Sequence, residues 1–111
     1  MYAVASLDEG MEWAADTFGT PAAYGGEHVG LGTRNALLSL GSTYLEIIAP
    51  DPAQSLEGNA GAQFANLTSG GMVTWAAEGD LNAMAQALEP AGVSTQGPNR
   101  TQRKTESGEL L

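Results

Sequence analysis

The sequence predicts an α+β domain of short strands and two amphipathic helices. Two observations carry this prediction. Apolar residues at helical spacing follow residues 6 and 80, and two apolar strand-like runs lie at 35–40 and 43–49. The 111 residues suffice for one domain, and the 15 glycines favour a β-rich chain with many turns.

The first helix is marked at both ends, and a short strand is expected before it, at 1–5. Ser6 and Glu9 have the spacing of a capping box, in which the two side chains satisfy free amide groups at a helix start. Gly19 and Pro21 predict its end. Its apolar face consists of Leu7, Met11, Ala14, Ala15 and Phe18.

A hairpin is predicted in the middle of the chain. Residues 22–33 contain four glycines and read as a bent strand or a loop. The runs at 35–40 and 43–49 are joined by Gly41 and Ser42, which suit a tight turn. Strand alternation puts Leu45 and Ile47 on the helix face. Tyr44 and Glu46 then lie on the other face, which is either solvated or the floor of a cavity.

The second half of the chain predicts less regular structure. Residues 50–71 read as a linker with one possible helical turn at 62–67, and 72–77 as a strand. A helix starts near Asp80 and ends at Pro90 and Gly92. Further expectations are a strand at 93–95, a polar turn or loop at 99–107 and the start of a strand at 109–111.

The two helices also suggest an internal repeat. Leu7 near the start and Gly19 at the end of the first helix correspond to Leu81 and Gly92 of the second, which lie 74 and 73 residues further on (81 − 7 and 92 − 19). This interval suggests a duplicated module, with each half needing the other to bury its sheet face. The predicted units are a first module at 1–49, a linker at 50–71 and a partial second module at 72–111.

Charge and composition exclude several classes of partner. Thirteen acidic residues against four basic ones give a net charge of -9, which repels phosphate backbones and makes nucleic acid an unsuitable partner. The chain has no cysteine, and so neither a disulfide nor thiol chemistry. No apolar run approaches the roughly 18 residues of a membrane span. The first residues also lack the basic region followed by an apolar region that is typical of a secretory leader. We therefore expect a cytoplasmic protein that does not bind membranes.

The stretch from residue 25 to 52, GGEHVGLGTRNALLSLGSTYLEIIAPDP, resembles the glyoxalase-like domain of the vicinal oxygen chelate (glyoxalase/bleomycin resistance/dioxygenase) superfamily. The resemblance implies paired βαβββ modules with a curved mixed sheet, helices on its outer face and a small-molecule cavity. The second module is incomplete relative to the family. The open edge of such a sheet would be covered by pairing edges or swapping strands in a homodimer, as is common in this superfamily, so a homodimer is also expected.

The resemblance also implies a metal site, of which this chain matches one position. Metal-dependent members use a histidine near the first strand and a glutamate in the last strand of each module. Glu46 matches the glutamate of the first module, whereas Val73 stands at the histidine place of the second. One carboxylate is insufficient for zinc or a hard divalent ion. We therefore expect no cofactor, and Glu46 as the ligand if a divalent metal does bind.

Two residues are candidates for chemistry, and each has a plainer alternative. Glu46, flanked by Leu45 and Ile47, needs Arg34, a donor network, a metal or a ligand if it faces inward; otherwise it is a surface charge. His28, the single histidine, could bind a ligand or act as a general base. The alternative is a loop histidine whose ring fixes the turn.

The remaining candidates would line the walls of a ligand site. Thr33 and Asn35 either cap the turn or line the pocket mouth. Trp75 either stacks on a ligand or packs in the core. The predicted ligand-binding set is Tyr44, Glu46, Asn35, Thr33, Arg34 and Trp75. The predicted function is binding of a small organic molecule; the alternatives are a lyase, isomerase or dioxygenase-type enzyme and a module that acts only as a dimer.

Overall fold

The computed structural model describes residues 1–99, 103–105 and 107–109 and shows an α+β fold. Its centre is a six-stranded mixed sheet with one helix packed on one face. The elements are β1 (Tyr2–Ala3), α1 (Leu7–Phe18), β2 (Ala23–His28), β3 (Thr33–Ser39), β4 (Tyr44–Pro50), a 3-10 helix (Ala60–Gln63), β5 (Gly71–Met72), α2 (Leu81–Leu88), a second 3-10 helix (Glu89–Ala91) and β6 (Arg103–Lys104).

The strand order is β5-β1-β4-β3-β2-β6. Strand β1 runs parallel to β4, and the other neighbouring strands are antiparallel. The parallel pair requires the chain to cross over between β1 and β4, and α1 lies in that crossover, as parallel connections demand. The longest strands, β3 and β4, form the middle of the sheet.

Helix α1 forms over the predicted residues, but Phe18, expected on its apolar face, is 46% exposed. The Ser6 hydroxyl accepts a hydrogen bond from the Glu9 backbone amide at 3.5 Å. Gly19 closes the helix in the left-handed region at φ 69° and donates its amide to the Ala15 carbonyl. The helix buries Leu7 and Ala14 against β3 and β4.

The hairpin and its two faces are also confirmed. The Leu40 amide donates to the Thr43 carbonyl at 2.9 Å across the turn, and Gly41 supplies the positive φ of 86°. Ile47 is fully buried and Leu45 is partly buried in the cluster that holds the helix. Alternation along β4 therefore turns Glu46 away from α1.

The face away from α1 is covered at one end by the 51–64 loop. Gly61 donates its amide to the Leu31 carbonyl at 3.1 Å, and the Asp51 amide donates to the Gly32 carbonyl at 2.9 Å. A Cβ on Gly61 would overlap the Gly32 carbonyl, so this close approach requires glycine. The contact places Phe64 against Ala3 and Ile48 in a second apolar cluster.

Several predictions for the second half are wrong. The strand expected at 72–77 is limited to Gly71–Met72, because its partner β1 is only two residues long. Residues 93–95 form no strand. Within the loop expected at 99–107, Arg103–Lys104 forms β6 and pairs with β2. Glu109 is not in a strand, and residues 100–102, 106, 110 and 111 lie outside the described residues.

Helix α2 forms where expected but does not pack on the sheet. The Asp80 carboxylate caps it, accepting from the Asn82 and Ala83 amides at 3.0 Å each. The helix has no buried residue, and Leu81 remains 54% exposed. The expectation of helices on the outer face of the sheet thus holds for α1 and is wrong for α2. No helix in the described ranges is long and apolar enough to cross a membrane.

Candidate ligand-binding site

Strand register gathers the polar candidates on the sheet face opposite α1. Thr33 pairs with Pro50 and with His28, and Asn35 pairs with Ile48. Directly paired residues point to the same side of a sheet. Since Ile48 and Glu46 alternate with the buried Ile47, the side chains of His28, Thr33, Asn35 and Glu46 share one face.

His28 and Glu46 form the centre of the site. The ring Nδ1 of His28 lies 2.8 Å from the Thr33 hydroxyl, which anchors the imidazole. Its Nε2 lies 3.8 Å from Glu46 Oε1, and the two side chains are only 17% and 13% exposed. A carboxylate beside an imidazole can accept a hydrogen bond from a ligand and can exchange a proton with it.

Asn35 holds the Glu46 carboxylate in place. Its amide Nδ2 donates to Glu46 Oε1 at 2.7 Å, and Asn35 is 3% exposed. Its Oδ1 is buried without a hydrogen-bond partner among the described residues. That oxygen faces Gly25, where a Cβ would overlap it. Gly25 therefore makes room for an amide whose other end orients Glu46.

A cavity of about 490 Å³ opens beside this cluster, and we call it the main pocket. Its walls are apolar apart from a few polar side chains. They consist of Met1, His28, Leu31, Thr33, Glu46, Ile48, Ala60, Gln63, Phe64, Val73 and Thr74. The sequence assigned no role to Gln63 or Phe64, because the 50–71 stretch has no periodicity. A lone aromatic residue in a glycine-rich, polar stretch is the one signal that pointed there.

A second hollow of about 420 Å³, the hairpin pocket, lies next to the β3–β4 turn. Its lining consists of Met1, Ser42, Thr43, Tyr44, Glu46, Ala76, Ala77 and Glu78. Tyr44, a predicted wall residue, lines this hollow and is 57% exposed. Among the predicted residues, Thr33 and His28 thus line the main pocket, Tyr44 the hairpin pocket, and Glu46 both.

Arg34 and Trp75 are not brought to the site. Arg34 pairs with Ala49, which is buried in the cluster under α1, so the two lie on the helix side of the sheet. It cannot be the partner of Glu46 that the sequence allowed, and its Nε is buried without a hydrogen bond to the described residues. Trp75 follows β5 in an irregular segment and is 80% exposed.

The described residues do not fit the metal set that the family implies. They include no group of three or more histidine, cysteine, aspartate or glutamate side chains that could hold an ion. His28 and Glu46 supply two ligands at most, and Val73 lines the main pocket with an apolar side chain. Zinc sites take three or four protein ligands, which is more than this pair supplies.

A mixed sheet with a helix packed on one face is part of the architecture that the resemblance implied. A family model described as a glyoxalase-like domain matches residues 1–110, and the chain belongs to this family. The crystal structure of methylmalonyl-CoA epimerase from Mycobacterium tuberculosis is similar, with a TM-score of 0.61 and 25% sequence identity. The match covers 98% of this chain and 71% of the epimerase chain. The search of curated proteins finds no match.

These comparisons confirm the predicted membership of the vicinal oxygen chelate superfamily and the α+β fold class. They also agree with the expectation of a partial second module, since part of the epimerase chain has no counterpart here. The boundaries at 49 and 71 stay predictions.

Proposed function

We propose that this protein binds a small organic molecule in the main pocket, with Glu46 as its principal polar contact. One observation carries the proposal: His28, Thr33 and Glu46 line a mostly apolar hollow of about 490 Å³, and the buried Asn35, which is not part of the lining, donates to Glu46 Oε1. Pockets for small ligands are typically about 300–1,000 Å³, mostly apolar, with a few placed polar groups. Its size and lining support a ligand that is largely apolar.

The hydrogen bonding of the Glu46 carboxylate supports its proposed role as the polar contact of the ligand. Its Oε1 accepts from Asn35 and faces His28. Its Oε2 has no hydrogen-bond donor among the described residues, and it is not sealed from solvent. A carboxylate oxygen at the edge of an apolar pocket gains most from a ligand that brings a donor, because water is displaced as the ligand enters.

The test is a thermal-shift screen with small neutral, cationic and aromatic compounds, followed by calorimetry on the compounds that raise Tm. A ligand that binds only the folded protein raises Tm in proportion to its concentration relative to Kd. Glu46→Gln keeps the shape of the side chain and removes its charge. We expect this variant to bind about tenfold more weakly, as a hydrogen bond to a charged group is lost.

Glu12→Gln is the matched control, because Glu12 is exposed on α1, on the opposite side of the sheet. It should bind the same compounds with unchanged affinity. The proposal fails if no compound raises Tm, or if Glu46→Gln binds as tightly as the unchanged protein.

A second candidate is an isomerase-type reaction on a bound small molecule. The observation in its favour is the 3.8 Å approach of His28 Nε2 to Glu46 Oε1, a pair able to take up and return a proton. The similarity to an epimerase supports the same class of reaction. Under this candidate, Glu46→Gln abolishes solvent deuterium exchange at carbon in a bound compound. A binding protein shows no such exchange even before the substitution.

A further inference from the structure

The main pocket and the hairpin pocket adjoin each other. Both are lined by Met1 and Glu46, so the two hollows of about 490 and 420 Å³ share these two residues as a common border. A molecule that extends past Glu46 from the main pocket would lie along the β3–β4 turn.

The two hollows differ in chemistry. The lining of the main pocket includes Leu31, Ile48 and Phe64, whose side chains offer only apolar surface. The hairpin pocket presents the hydroxyls of Ser42, Thr43 and Tyr44 and the carboxylate of Glu78. A ligand that fills both needs an apolar body at one end and a polar group at the other.

Charge identifies the polar group. Two carboxylates, Glu46 and Glu78, line the hairpin pocket, and the chain as a whole carries a net charge of -9. Met1 also lines this hollow and carries an ammonium group, which donates to the Thr74 carbonyl at 2.7 Å, but the two carboxylates outnumber it. Such a hollow attracts a cation and repels an anion.

We propose that the ligand is an elongated amphiphile whose apolar body occupies the main pocket and whose amine lies between Glu46 and Glu78. This inference rests on the proposed binding function and adds the class of ligand.

The test compares three probes with one body and different ends: phenylbutylamine, phenylbutanol and phenylbutyrate. Calorimetry on the full chain is expected to rank the amine first and the carboxylate last, with the amine about fivefold tighter than the alcohol. Glu78→Gln should weaken the amine about twofold to fivefold and leave the alcohol unchanged, since only the amine carries a charge. The preference for the amine should shrink with added salt.

Glu12→Gln serves again as the control for net charge. If it weakens the amine as much as Glu78→Gln does, the attraction is a long-range effect and the inference is overturned. Equal binding of the three probes, or tightest binding of phenylbutyrate, also overturns it while leaving the proposed function standing. If none of the three probes binds although compounds from the first screen do, the proposed ligand class is wrong, whereas the proposed binding of a small molecule in the main pocket still stands.

Discussion

At the scale of single residues, the position of the Glu46 carboxylate depends on Gly25, because the Asn35 side chain lies between them. The Asn35 amide is buried with one end on Glu46 Oε1 and the other against Gly25. A buried amide oxygen without a partner costs free energy, so the arrangement persists because the Nδ2–carboxylate hydrogen bond is charge-assisted. Gly25 is thus part of the site although it offers no side chain.

Gly25→Ala is expected to reduce the free energy of unfolding by about 1–3 kcal/mol, the usual cost of overpacking a buried site. The new methyl group would overlap Asn35 Oδ1 and push the amide off Glu46. Urea unfolding measures the change. Gly71→Ala is the matched control, because a Cβ there meets nothing within 4 Å, and it should stay within about 0.5 kcal/mol. Equal stability of the two variants would show that the Asn35 side chain does not need the space at Gly25.

At the scale of elements, the contact between α1 and β4 depends on Gly10. Gly10 is a buried residue in the interior of α1, where glycine lowers helix stability by about 1 kcal/mol relative to alanine. A Cβ there would lie 2.7 Å from the Ile47 side chain and 2.9 Å from that of Val4. The glycine therefore lets the helix approach the sheet closely at the expense of helix propensity.

Gly10→Ala tests which effect is larger. The gain in helix propensity is about 1 kcal/mol and overpacking costs about 1–3 kcal/mol, so we expect a net loss of stability of up to about 2 kcal/mol. The urea midpoint reports it. Thr17→Ala, at an exposed position of the same helix, should instead raise stability by about 0.5 kcal/mol. An increase on Gly10→Ala would show that the helix can move away from β4.

At the scale of the whole molecule, the described residues that follow β5 bury little apolar surface. Helix α2 buries no residue, and β5 and β6, at the two edges of the sheet, are two residues long each. Leu81 and Val93 are about half exposed, and Trp75 is 80% exposed. Exposed apolar side chains mark a contact site where they form one contiguous patch.

The predicted homodimer belongs to this scale. Light scattering coupled to gel filtration should give twice the mass of one chain at micromolar concentration, because association removes the apolar surface from water. Leu81→Glu should shift the protein toward monomer, whereas Leu40→Glu, at the equally exposed hairpin end, should not. A monomer at all concentrations would contradict the prediction.

The sequence predicted the parts of the fold that depend on near neighbours. The limits of α1, the Asp80 cap and the tight turn at Gly41 follow from hydrogen bonds between residues a few positions apart. The two faces of β4 follow from strict alternation. The same local rules misjudged 72–77, since a strand extends only as far as its partner does.

The composition of the site was decided by contacts between residues far apart in the chain. Periodicity put Glu46 on the free face, but pairing between β2, β3 and β4 brought His28, Thr33 and Asn35 to it. Strand register carried Arg34 to the helix side, although it lies next to two of these residues in sequence. The 51–64 loop reaches the pocket because Gly61 packs on Gly32, and a contact of that kind has no periodic signature.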